Sequence, residues 1–325
     1  MKLKNRVLHI VALLLFVIFI PQCGGLPIGK VSEEAGRAEI GKGPPPGYAI
    51  VQEVSIITET VWTLDKKGKE RRKARRKVGV KIVAHYNVRG RSGDEVLMNI
   101  ALESVEDLLG GKFIPSKLFQ FHPPKEFLLR VNLLKGKIDF MDFNDRFDIW
   151  SRKIERSSSW GISISGGDLD RYRENLRDAV GAPLDRFFGR RLDLGKSSVI
   201  REMVLPPMSR ETLWEKPIQV ERKEVMKGVM EGPDRRLALM EGQVQSTSST
   251  FGADIVKRGM NVFQEDRSEV TSVEAEMASK YRARVDTSSG WVVENFQRVR
   301  GIVMGELKNG SIKEDLYIKI VINEI

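Results

Sequence analysis

Residues 78–102 read VGVKIVAHYNVRGRSGDEVLMNIAL, and this stretch decides the fold. Val78, Val80, Ile82, Ala84, Tyr86 and Val88 alternate with Lys81, His85, Asn87 and Arg89. A repeat of two puts the first set on one face of a strand and the second on the other. Arg89-Gly90-Arg91-Ser92-Gly93-Asp94 has turn composition, after which Val96, Met98, Ile100 and Leu102 alternate again. The pattern predicts antiparallel strands with one buried and one wetter face.

Upstream, Tyr48 to Leu64 has the same period: Ile50, Val54, Ile56, Trp62 and Leu64 share a face with Gln52, Thr58 and Thr60. Between this segment and Val78 lies Lys66-Lys67-Gly68-Lys69-Glu70-Arg71-Arg72-Lys73-Ala74-Arg75-Arg76-Lys77, with nine basic residues and one acid. It is expected as a charged loop joining two strands of a meander. The chain's net charge is +10. The run accounts for +8 of it and the first six residues for +3, so the remainder is close to neutral with one intensely basic tip. Lys66, Lys67, Lys69, Arg71, Arg72, Lys73, Arg75, Arg76 and Lys77 are therefore candidates for contact with an anionic surface. The run has no interleaved aromatics and so no platform for stacking bases, which argues against a specific nucleic-acid partner. The alternative is a solvated hairpin whose charges discourage edge-to-edge association.

Downstream, Phe127, Leu129, Val131 and Leu133 suggest a strand that turns at Lys135-Gly136 into Ile138 and Phe140. Phe143, Phe147, Trp150 and Ile154 then fall at helical spacing, as do Leu169, Tyr172, Leu176, Val180, Leu184, Phe187 and Phe188, with Pro183 bending or restarting that second helix. Extended segments return at 235–250 and 269–286, followed by Trp291 to Met304, an Asn309-Gly310 hairpin signal and a final strand, Leu316 to Ile322. The expectation is a mainly β (α+β) protein of about nine strands. Its simplest architecture is a large curved antiparallel sheet, or incomplete barrel, with a helical section packed on one face. Two smaller sheets split near residue 200 are the alternative. The organisation reads as a signal peptide over 1–22, a Gly/Pro-rich tether over 23–47, an N-terminal β part over 48–143, a helical section over 144–207 and a C-terminal β meander over 208–325.

The signal reading rests on Lys2, Lys4 and Arg6 followed by Val7 to Ile20, an apolar run that suits a secretory core and is short for a bilayer span. Behind it stands Cys23, the chain's single cysteine, followed by Gly24-Gly25. This junction resembles the lipobox of bacterial lipoproteins. The resemblance implies acylation of Cys23 and a membrane anchor in the cell envelope, on the outer-membrane or periplasmic side. Cleavage near Gly24-Gly25 with release of a soluble product is the alternative. Together with the meander and the segment Tyr281-Arg282-Ala283-Arg284-Val285-Asp286…Gly290-Trp291, the junction resembles β-rich bacterial lipoproteins. Some of these have a half-barrel similar to the LolA-type lipoprotein carrier, which implies by analogy a lipid or other apolar ligand. With Cys23 removed or acylated, no disulfide supports the domain.

Candidates for catalysis are few. His85 sits on the polar face of a strand, and His122 precedes Pro123-Pro124 in a loop. Leu194-Gly195-Lys196-Ser197 ends like a P-loop but has arginine at 190 where the first glycine belongs. Gly161-Ile162-Ser163-Ile164-Ser165 has serine where a nucleophile elbow needs glycine. Asp139, Asp142, Asp145 and Asp148 could line a helix as acid and base or cation ligands, but acidic residues at a helix start also serve as caps. The sequence therefore implies no cofactor, metal or catalytic set. It points first to a non-enzymatic envelope lipoprotein that binds a lipid, apolar ligand or envelope partner. Second is an adaptor or adhesin acting through the basic run, and third an exported carboxylate-dependent hydrolase.

Overall fold

The computed structural model describes residues 31–32, 37–41, 43–108, 125–132, 137–157, 173, 176–184, 191–204, 218–232, 234–247, 256, 259–265 and 270–325. The segment over 1–22, Cys23, His122, the 161–165 motif and Leu169, Tyr172, Phe187 and Phe188 lie outside them. Fourteen strands are found among the described residues: β1 (Val31–Ser32), β2 (Arg37–Glu39), β3 (Ala49–Lys66), β4 (Arg72–Ser92), β5 (Glu95–Asp107), β6 (Glu126–Asn132), β7 (Lys137–Phe140), β8 (Arg191–Asp193), β9 (Ser197–Val204), β10 (Ile218–Glu231), β11 (Arg236–Thr247), β12 (Val270–Asp286), β13 (Val292–Leu307) and β14 (Gly310–Glu324). The helix α1 spans Phe143–Ser157, and further helical turns cover 176–181 and 259–263.

Twelve strands form one antiparallel sheet in the order β1-β10-β11-β12-β13-β14-β3-β4-β5-β6-β7, with β9 also pairing β10. The sheet does not close on itself. The last strand joins the two halves of the chain: β14 pairs β3 in unbroken register from Gly310↔Lys66 to Glu324↔Gln52. That pairing replaces the two-sheet alternative with a single sheet. Gly310, at φ +152°, approaches the Asp65 carbonyl too closely for any side chain, which explains the Asn309-Gly310 turn.

Three expectations need correction. The basic run is not a loop: the turn covers only 67–71, and Arg72 to Lys77 belong to β4, paired with β3 from Leu64↔Arg72 to Glu59↔Lys77. The helical section over 144–207 contains the strands β8 and β9. The segment over 23–47 is not free throughout: β1 pairs β10, β2 pairs β8, and Ala38 and Ile40 are buried.

Alternation sorts the side chains as expected. Val80, Ile82, Ala84, Tyr86 and Val88 are buried together with Val96, Met98, Ile100, Phe127, Leu129 and Val131. Over this half lies α1, whose Phe143, Phe147 and Trp150 are buried. Phe143 meets Phe127 edge-on at 5.1 Å between ring centroids. Burial of each such ring is worth roughly 1.5–3 kcal/mol. Leu176, Ala179, Val180 and Leu184 join the same core, and the helix there tightens to a 3₁₀ turn at Ala182–Leu184, where Pro183 lies.

A second, smaller core of Leu64, Val220, Val303, Leu307 and Ile312 lies under Val256 and Met260 at the opposite end of the covered face. Between the two cores runs a buried polar band. Arg222 and Glu224 are paired at 3.1 Å, the Tyr281 hydroxyl donates to Glu224, and Gln297 Nε2 donates to Ser279 Oγ at 2.8 Å. Gly242 gives the Tyr281 ring the space it occupies.

Candidate anion-binding surface

The far end of the β3–β4 pair carries the nine predicted cations. Register places Arg72, Ala74 and Arg76 on the covered face beside Leu64, Trp62 and Thr60, and Lys73, Arg75 and Lys77 on the open face. The covered-face cations are engaged. Arg72 pairs with Glu265 and lies over the Phe263 ring at 5.2 Å, and Lys66 reaches the same carboxylate at 2.6 Å. The Lys66 hydrogen bond, with the charges of Lys66, Arg72 and Lys69, holds the Glu265 carboxyl below its ordinary range. Arg75 pairs with Glu59 at 2.7 Å, and Arg71 approaches Asp65 at 3.9 Å. Lys67, Lys69, Lys73 and Lys77 are exposed and make no ion pair among the described residues. The run is thus partly neutralised, with Lys67 and Lys69 at the turn and Lys73 and Lys77 along β4 left without an ion pair among the described residues.

The acidic series does not converge. Asp139 is exposed on β7. Asp142, just before α1, accepts the Leu128 N–H at 2.6 Å and pairs with Arg146 at 2.6 Å, tying the helix start to β6. Asp145 lies in the first turn, and Asp148 faces Arg173 at 3.5 Å. These are ion-pairing and tethering roles, with Asp145 favourably placed in the first turn of the helix. His85 sits on the open face beside Glu103 at 2.9 Å. Gly195-Lys196 forms the turn between β8 and β9; the Gly195 N–H donates to the Met226 carbonyl and Lys196 pairs with Asp193 at 3.2 Å, so both groups are already engaged within the fold. Among the described residues no three His, Cys, Asp or Glu side chains gather as metal ligands.

A second basic surface escaped the sequence reading. The open face over β10–β13 has a shallow groove of about 620 Å³ lined by Lys223, Lys227, Lys280, Arg282, Arg298 and Phe296, among others. On the β10–β11 side its cations are neutralised. Glu241 takes Arg282 at 3.0 Å and Lys227 at 3.7 Å, and Glu221 takes Lys223 at 3.6 Å and Arg201 at 3.3 Å. On the β12–β14 side, Lys280, Arg298, Arg300 and Lys319 make no ion pair among the described residues.

No family model and no curated protein matches the chain. Among solved structures it is similar to the attachment invasion locus protein Ail of Yersinia pestis, at 6% identity and a TM-score of 0.14 over 85% of this chain and 99% of that one. It is similar also to an outer membrane channel from Pseudomonas putida F1, at 8% identity and a TM-score of 0.16 over 91% and 100%. A DUF1329 family protein from Desulfovibrio piger follows at 7% identity and 0.11 over 83% and 85%. Likenesses at these TM-scores carry no argument about this chain. Among the described residues no helix is long and apolar enough to cross a membrane.

Chemically, both surfaces suit anions. Exposed ammonium groups attract phosphate or carboxylate from a distance, and their pull weakens with salt.

Proposed function

We propose that this chain is an exported cell-envelope protein with a binding role, anchored through an acylated Cys23, that docks on an anionic surface with the Lys66–Lys77 end of its sheet. The observation that carries the reading is the set of Lys67 and Lys69 at the turn and Lys73 and Lys77 along the adjoining stretch of β4, exposed and without ion pairs among the described residues. Near an anionic membrane each basic residue contributes about 1 kcal/mol. Four lysines therefore supply roughly 4 kcal/mol at low salt, with most of it screened as the Debye length falls below about 10 Å. The apolar Val7–Ile20 stretch behind three cations supports export, and the Cys23-Gly24-Gly25 junction supports the anchor. A binding role is favoured over a hydrolase because Asp142 and Asp148 are spent on arginine pairs and, for Asp142, on the Leu128 N–H of β6.

Two measurements test it. Cells grown with labelled palmitate should incorporate label into the protein and lose it with Cys23→Ala. Sedimentation with phosphatidylglycerol vesicles should fall steeply with added salt. It should fall severalfold again when Lys67, Lys69, Lys73 and Lys77 are all changed to Gln. Vesicle binding that ignores both changes would refute the docking role.

A further inference from the structure

We propose that the open face of β12–β14 binds a linear acidic polysaccharide across Lys280, Arg298 and Lys319, a row some ten positions along the strands from the Lys67–Lys69 turn. Strand register builds it: Lys280 stands directly opposite Arg298, and Arg298 directly opposite Lys319. Continuing through Gln243, Lys223 lies in the same row. Adjacent strands are roughly 4.8 Å apart, so the row from Lys223 to Lys319 spans roughly 19 Å at right angles to the strands.

Like charges directly opposite one another destabilise a sheet. Elsewhere on this face the sequence relieves that cost with carboxylates: Glu241 serves Arg282 and Lys227, and Glu294 serves Arg284 at 2.8 Å. Lys280, Arg298 and Lys319 have no such relief among the described residues, and Arg300 adds a fourth cation two positions along β13. An anion that bridges the row removes the repulsion and gains the attraction of several cations at once.

Arg298, Lys319 and Arg300 are also held in place. Arg298 lies 4.9 Å and Lys319 5.6 Å from the Phe296 ring centroid, and Arg300 lies 5.8 Å from that of Tyr317. Side chains already resting on rings lose less freedom on binding. The same packing selects the polymer. Stacked bases need free aromatic faces, and both rings carry a cation. A chain with one acid group per sugar needs only the charged row and a shallow, open groove, and the guanidinium of Arg298 can take a carboxylate in its fork.

The test uses the full-length protein and a fluorescent oligouronate from alginate, with neutral dextran and a single-stranded oligonucleotide as comparisons. Wild type should bind the oligouronate in a salt-sensitive way and ignore dextran. Lys280→Gln, Arg298→Gln and Lys319→Gln together should weaken binding by about tenfold or more and flatten the salt dependence. Lys280→Arg with Lys319→Arg should retain it. Lys67→Gln with Lys69→Gln should reduce vesicle binding and leave the oligouronate unaffected, because those residues lie some ten positions, roughly 33 Å, along the strands from this row. If the triple variant loses its fold, Arg298→Gln alone serves, with a severalfold loss expected. No binding by wild type, unchanged binding in the folded variants, or a preference for the oligonucleotide would each overturn the proposal.

Discussion

At one end of the β3–β4 pair, Ile50, Gln52 and Tyr86 face a closed hub; at the other, Trp62 and Leu64 share the same alternation with a string of cations. The hub centres on Trp291, which is fully buried. Its indole donates to Gln52 at 2.9 Å, Gln52 returns a bond to the Val292 carbonyl at 2.6 Å, and Tyr86 meets the ring edge-on at 5.4 Å. Asp286 closes the turn beneath by accepting from Ser288 and Ser289. Burial pushes the Tyr86 phenol well up, so it stays a donor, to the Val180 carbonyl at 3.0 Å. At the far end Lys73, Arg75 and Lys77 line the open face, while Lys66 and Arg72 reach Glu265 on the covered one. One pair of strands is thus held firmly at one end and presents charge to solvent at the other.

That comparison can be broken at several points. Trp291→Ala should cost about 4 kcal/mol in denaturant unfolding, since it empties a large site and strips Gln52 of its partner; a loss under 1 kcal/mol would mean the hub does not support the sheet. Between the ends, Glu224→Gln should cost roughly 3 kcal/mol because Arg222 would keep a buried charge beside a neutral amide. Replacing both by apolar residues of similar volume should recover most of that. Tyr86→Phe should lose about 1–2 kcal/mol, the cost of a buried carbonyl left without its donor.

At the charged end the effects shrink. The Glu265 carboxyl is depressed in the folded state. Its stabilising contribution is therefore complete above the unfolded carboxyl pKa, near about 4.3, and is lost as the pH falls through the lower folded value. Acid titration of stability should show this loss, under about 1 kcal/mol for a pair whose Arg72 partner is half exposed, and Glu265→Gln should remove it. Lys67→Gln with Lys69→Gln should leave stability within about 0.5 kcal/mol.

How much was legible in the sequence follows from how local each signal is. The period of two in Val80–Val88 and Val96–Leu102 reports burial of one face and needs no distant information. The Phe143/Phe147/Trp150 spacing likewise marks α1. By contrast, nothing local to residues 52–66 or 310–324 announces the β3–β14 pairing that makes one sheet of two halves. Ser197-Ser198-Val199-Ile200 shows no alternation, so β9 was hidden. Dense charge made 66–77 read as a loop, yet pairing with β3 extends β4 to Arg72. The row Lys280, Arg298, Lys319 was invisible because its members lie about 20 residues apart among acids; only strand register assembles them.

Vesicle sedimentation across a salt series separates anion binding by the lysines from support by the hub. Wild type, the variant with Lys67, Lys69, Lys73 and Lys77 changed to Gln, and Trp291→Ala at a temperature where it stays folded would be compared side by side. The lysine variant should lose most of its binding with its melting temperature unchanged, and Trp291→Ala should melt early yet bind like wild type. Equal binding by wild type and the lysine variant at low salt would contradict anion binding by the lysines.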